Sequence, residues 1–183
     1  MGKTVYLLVG PRGSGKTTYG KKLMENHLEL KSISRDQILI RLFGSVYTDP
    51  YSGAQWIAYR IMEKLLKYRL KEENITLLLD CWTGETRERK EILQMLKKFG
   101  ADQVIALYFL TDVENVKQWF WEKPGIAKLN EIRNRKDGDN IAFFSEDTPE
   151  REHRIFHKFA KTIYSDGFND VIEIYPQKKL ISL

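Results

Sequence analysis

The sequence predicts a three-layer α/β domain, a parallel five-stranded sheet flanked by helices, and three observations carry that reading. Apolar runs of strand length alternate with helically patterned segments along the chain. Two of the runs, ITLLLD (75–80) and DQVIALYFL (102–110), are almost continuously apolar, as a sheet covered on both faces requires. A glycine-rich turn joins the first strand to the first helix. With 183 residues, 42% of them hydrophobic, and no repeat, low-complexity tract or linker, residues 1–183 are expected to form one domain.

The elements follow in order. TVYLLVG (4–10) is β-branched and apolar, and KTTYGKKLMENH (16–27) is helical with Tyr19, Leu23 and Met24 on one face. LKSIS (30–34) is a short strand leading into RDQILIRLFG (35–44), a helix stopped at Gly44. After a polar loop, 54–74 reads as a helix with Ile57, Ile61, Leu65 and Leu66 at helical spacing. The strand 75–80, a helix over 85–100 with a glycine cap, and the strand 102–110 come next. Helices are predicted over 112–123 and 148–167, the latter with Thr148 as N-cap and Pro149 in the first helical position, and DVIEIY (170–175) is the fifth strand. From 124 to 147 the pattern weakens to a polar, basic, glycine-punctuated segment, read either as a helical lid over a site or as a surface excursion.

Charge and composition narrow the function. A net charge of +5 and a pI near 9.1 suit a phosphate-rich partner, nucleotide or nucleic acid, and equally a solvated basic surface. The single cysteine, Cys81, excludes an intrachain disulfide. His27, His153 and His157 form no metal-binding pattern; the last two are expected to be solvated helix residues. No apolar run approaches the length of a membrane span or a signal sequence, so the expected location is the reducing cytoplasm, with no membrane and no evident protein partner.

The strongest signal is GPRGSGKT, residues 10–17, which fits G-x-x-x-x-G-K-[ST] between a strand and a helix. It makes the expected fold a P-loop NTPase fold. Gly10, Pro11, Arg12, Gly13, Ser14 and Gly15 form a loop whose amides face phosphate oxygens at a helix N-terminus. Lys16 supplies charge to the outer phosphates, Thr17 a hydroxyl to Mg2+, and Thr18 a contact to an inner phosphate.

Phosphoryl transfer needs a carboxylate near the terminal phosphate. Asp36, just past the second strand, reads either as that base or as the cap of helix 37–43, a role Ser34 could take instead. Asp80, after three leucines, sits as a Walker B carboxylate does and is the second candidate metal ligand. Arg87 and Arg89 read as surface residues pairing with Glu85 and Glu91. In the weakly patterned segment, Arg133, Arg135 and Lys136 are candidates to neutralise the transferring group, with Arg133 or Arg135 as the clamp.

GPRGSGKTT, ISRDQ and DCWTGETRER together resemble the small P-loop kinases grouped around the 5′-kinase domain of phage-type polynucleotide kinases. The resemblance spans residues up to about 110 and fades afterwards. It implies that Asp36 is the general base for an acceptor hydroxyl, that Arg35 and Asp36 meet the substrate, and that Lys16 and Thr17 serve ATP and Mg2+. Two departures stand out. Where the family carries an arginine three residues after the aspartate, this chain has Leu39, with Arg41 the nearest candidate on another helix face; and where the family's lid usually carries an Asn and an Arg after the fourth-strand helix, WFWEKPG intervenes.

Trp119, Phe120, Trp121, Phe143 and Phe144 divide between packing and base stacking, with packing expected for most, including two of the first three. Tyr47 and Tyr51 are candidates to border the acceptor. The expectation is an ATP-dependent phosphotransferase acting on a polynucleotide 5′-hydroxyl, with a nucleotide and a single-stranded 5′ end as partners. The alternatives are a kinase for a small-molecule or nucleotide acceptor, and a non-transferring ATPase or switch. Against the last, the GTPase base-recognition motif Asn-Lys-x-Asp is missing, and NRKD at 134–137 has the wrong order.

Overall fold

The computed structural model describes residues 2–46, 48, 50–123, 126 and 144–176. Its element order is β1 (Thr4–Val9), α1 (Lys16–Asn26), β2 (Lys31–Ser34), α2 (Arg35–Phe43), a 3-10 turn (Pro50–Ser52), α3 (Ala54–Arg69), β3 (Thr76–Asp80), α4 (Thr86–Lys98), β4 (Gln103–Phe109), α5 (Val113–Trp121), α6 (Thr148–Ala160), a second 3-10 turn (Ile163–Ser165) and β5 (Asp170–Ile174). The strands form one parallel sheet in the order β2-β3-β1-β4-β5.

The pleat of β1 divides the core. Val5, Leu7 and Val9 face the layer supplied by α3, α4 and α6, through Met62, Leu66, Ile92, Leu96 and Phe156. Leu8 faces the opposite layer, where Tyr19 and Leu23 of α1 pack with Leu78, Leu107 and Phe109. Because β1 is central, the turn that follows it opens in the middle of the carboxyl edge of the sheet, with β3 on one side and β4 on the other. Among the described residues no helix is long and apolar enough to cross a membrane.

Four local expectations are corrected. Helix α3 ends at Arg69 and buries Ala54, Ala58, Met62 and Leu66; Ile57 and Leu65 stay substantially exposed. Its inward stripe is therefore one residue out of phase with the bulky one, because small Ala54 and Ala58 let α3 approach Leu39 of α2 closely. Helix α6 begins at Thr148 itself, with Asp147 as its N-cap residue.

His153 and His157 are only partly exposed, not freely solvated. They pack between α6 and the end of β4, their Nε2 atoms 3.0 Å apart.

Arg89, expected on the surface, is fully buried. It donates from Nε to Asp166 at 2.6 Å, and from its terminal nitrogens to the Phe159 carbonyl at 2.8 Å and the Thr83 carbonyl at 3.3 Å. Arg87 does pair with Glu91, at 3.7 Å.

Candidate active site

The glycine loop is shaped by backbone angles and by what lies behind it. Gly13 has φ +83°, and a Cβ there would come within 2.9 Å of the Val116 carbonyl, so α5 seats directly against the loop. Ser14 is buried and its main-chain carbonyl accepts the Thr111 hydroxyl at 2.9 Å, which ties the loop to the end of β4. Pro11 and Gly13 are buried, Arg12 is partly exposed, and Thr17 and Thr18 point toward solvent at the head of α1.

Lys16 donates to the Gly10 and Pro11 carbonyls, each at 2.7 Å, and forms no ion pair among the described residues. Removal from water lowers its pKa to about 8, an effect partly offset by Asp80 and Asp36 and reinforced by Lys123 and Arg12. The Thr17 hydroxyl lies 3.4 Å from Asp80 Oδ2. Asp80, at the end of β3, has its pKa raised chiefly by burial and further by Asp36, against the opposing pull of Lys16. A half-withdrawn carboxylate beside a hydroxyl is a donor set for a hard cation that keeps waters and phosphate oxygens as its remaining ligands. Thr17 and Asp80 therefore fit Mg2+.

Two consequences for acidity follow from Lys16. A lysine whose folded pKa is lowered holds fewer protons than in the unfolded chain between pH about 8 and 10.5, so the free protein gains stability as pH rises through that window. Binding of a triphosphate favours the charged form. ATP affinity is accordingly expected to fall above pH 8, by up to about tenfold per pH unit, with proton uptake on binding. Calorimetry in buffers of different ionisation enthalpy measures that uptake.

Asp36 stands in the first turn of α2. The helix is capped by Ser34, whose hydroxyl accepts the Gln37 amide at 3.3 Å, so the carboxylate is not committed to capping. Arg35 Nη2 donates to Asp36 Oδ1 at 3.2 Å, while the Arg35 Nε is buried without a partner among the described residues. That nitrogen belongs to a residue lining a cavity of about 230 Å3 between α3, the end of β3 and α4, walled by Tyr59 and Trp82 and floored by Met62, Cys81 and Ile92. Arg41 lines a second space of about 370 Å3, together with Thr17, Gln37 and Asp80. Tyr51 lies on the 3-10 turn, almost fully exposed, and lines neither space. Tyr47, Arg133, Arg135, Lys136 and Phe143 lie outside the described residues.

Sequence reasoning missed Lys123. Just past α5, it is partly buried and close enough to Arg12, Asp36, Asp80 and Glu152 for their charges to act on it; burial first, and Arg12 next, lower its pKa. No local pattern distinguishes it from other lysines. Arg12, in turn, pairs with Glu152 at 3.4 Å and lies over the Phe144 ring at 5.4 Å. Of the aromatic triplet, Phe120 alone is fully buried, stacked edge-on against Phe144; Trp119 leans on Gly15, and Trp121 is about one-third exposed.

A family model described as AAA domain matches residues 5–138, most of the chain. The chain belongs to this AAA domain family. Among curated proteins, the AAA domain chain is 26% identical over 135 residues to an adenylate kinase of Fervidobacterium nodosum, the match covering 70% of this chain and 62% of that enzyme. It thus spans about three fifths of that relative's length. Among solved structures it is similar to a chain of the Pnkp1/Rnl/Hen1 RNA repair complex, with TM-score 0.63 and 16% identity over 87% of this chain and 46% of that one. It is similar also to shikimate kinase from Acinetobacter baumannii in complex with shikimate, with TM-score 0.51 and 23% identity over 95% of this chain and 84% of that one. At these identities the two structures share with it the P-loop kinase fold.

Proposed function

We propose that this protein is an ATP-dependent phosphotransferase that moves the γ-phosphoryl group to an acceptor hydroxyl, with a polynucleotide 5′-hydroxyl as the favoured acceptor. The observation that carries the reading is the convergence of the Lys16 ammonium, the Thr17–Asp80 pair at 3.4 Å, and an Asp36 carboxylate whose charge acts on both Lys16 and Asp80. A pure binding switch has no use for that third group.

In this reading the loop amides and Lys16 hold the outer phosphates, and Thr17 and Asp80 hold Mg2+, which neutralises phosphate charge when bound. Asp36, oriented by Arg35, accepts the proton of the acceptor hydroxyl as its oxygen bonds to the γ-phosphorus and the bond to the ADP oxygen breaks; the proton then passes to solvent. Lys123 adds positive charge on the side facing α5. Lys123→Ala is expected to lower turnover by about tenfold to a hundredfold with little change in ATP affinity, read from steady-state kinetics and a separate binding titration.

The acceptor's own recognition is proposed to fall to Arg35, which lines the cavity together with Trp82 and Tyr59. An anionic group at Arg35 and a flat ring against the aromatic walls suit a nucleotide unit. A volume of about 230 Å3 admits little more than one such unit, which favours a small phosphorylated acceptor as the second reading. Labelled ATP, Mg2+ and a panel of 5′-hydroxyl oligonucleotides, nucleotides, nucleosides and sugars test the proposal directly. Label on an oligonucleotide, with affinity falling steeply as salt rises, supports the polynucleotide reading. Label on mononucleotides alone, with a shallow salt dependence, supports the second. Label retained by none of the panel while ATP is hydrolysed would remove both.

A further inference from the structure

The phosphotransfer reading makes no use of a cluster behind the loop, where α6 crosses the end of β4. His153 and His157 lie one helical turn apart, their Nε2 atoms 3.0 Å from each other, and the main-chain carbonyl of Thr111 is 3.1 Å from His153 Nε2. The His157 ring is fixed from its other side by the Tyr108 hydroxyl, 3.3 Å from Nδ1. We propose that His153, His157 and the Thr111 carbonyl form a binding site for a borderline divalent cation of the zinc class.

The argument is one of distances and lone pairs. Zinc–nitrogen bonds run about 2.0–2.1 Å, and two of them at angles between 90° and tetrahedral set the nitrogens roughly 2.9–3.4 Å apart. The 3.0 Å spacing falls inside that span, and the carbonyl oxygen lies at a similar separation from His153. When His157 Nδ1 carries its proton and donates to Tyr108, Nε2 presents a lone pair toward His153. A hydrogen bond from the second ring nitrogen of a ligating histidine is the usual way such a ring is held. Among the described residues no third His, Cys, Asp or Glu side chain joins the group, so solvent must supply the remaining ligand. Both histidines are partly exposed, which leaves it a route in. Imidazole donors select zinc-class ions over magnesium, and the site is chemically distinct from the oxygen donors Thr17 and Asp80. A bound ion would fasten α6 to the segment whose Thr111 hydroxyl holds the Ser14 carbonyl of the phosphate loop.

The experiment titrates ZnCl2 into metal-stripped full-length protein at pH 7.5 with excess Mg2+, read by calorimetry and by the histidine ring-nitrogen NMR signals. One zinc per chain at micromolar concentration is expected, with shifts at His153 and His157 and none at His27. His157→Gln and, separately, His153→Gln should each weaken binding by at least about tenfold, and Tyr108→Phe by about tenfold. His27→Gln should leave binding unchanged, and thermal melts of each variant establish that it is folded. Failure to bind below about 100 μM, zinc binding unaltered by both histidine variants, or binding lost instead in Asp80→Asn would overturn the proposal, the 3.0 Å contact then being an N–H···N hydrogen bond. None of these outcomes bears on phosphotransfer, which the acceptor panel tests separately.

Discussion

Asp36→Asn is expected to lower phosphoryl transfer by about 10²–10⁴-fold, roughly 3–5 kcal/mol in the barrier, while ATP binding changes by less than about threefold. The asymmetry comes from the local structure. Ser34 caps α2 and Arg35 remains beside position 36, so the substitution removes neither the helix nor its orienting partner. Asparagine keeps the size and a hydrogen-bonding oxygen but cannot take up a proton. The charge lost stands outside the phosphate loop, and its pull on Lys16 ranks below burial, Asp80 and Lys123, so the grip on the phosphates changes little. Single-turnover transfer to the acceptor identified from the panel, beside a nucleotide titration, separates the two quantities. Transfer within a few-fold of the parent would show that Asp36 is not the base, and unchanged ATP hydrolysis would then favour an ATPase or switch.

Arg89→Met is expected to cost about 3–5 kcal/mol of stability, because it leaves Asp166 buried without its cation. For a chain of this length that corresponds to a fall in Tm of about 6–20 °C. The guanidinium joins the loop after Asp80, through the Thr83 and Gly84 carbonyls, to the carboxyl end of α6, through Phe159 and Thr162. Asp166 is held in turn by the Thr162 hydroxyl at 2.8 Å. The double variant Arg89→Met with Asp166→Leu removes both charges and should recover most of the loss, since the penalty lies in the unpaired ion rather than in the pair. Denaturant titration of the parent, the single and the double variants checks this. A single variant as stable as the parent would mean that water reaches Asp166.

Legibility in the sequence followed the range of the interactions that fix each element. The glycine loop, the run of leucines into Asp80 and the α1 stripe are set by neighbours along the chain, and their residues alone announced the parallel sheet. Arg89 did not announce its burial because its partner, Asp166, lies 77 residues away. Within α4 it looks like any arginine among glutamates. The α3 stripe misled because Ile57 and Leu65 are larger than Ala54 and Ala58, and only the proximity of α2 makes the small residues the inward ones. Lys123 and the His153–His157 pair were invisible for the same reason: each gains its character from elements brought together by the sheet order. Asp36 was legible as a candidate, and the structure adds that Ser34 relieves it of capping.

The position of β1 between β3 and β4 separates two kinds of evolutionary freedom. The residues proposed to read the acceptor, Arg35, Tyr59 and Trp82, hang from the β2–β3 flank, whereas Thr111, α5 and α6 brace the phosphate loop from the β4 flank. On that proposal, mutations on the first flank remodel the acceptor site without loosening the phosphate loop. A lineage built on this plan can change its customers while keeping its engine.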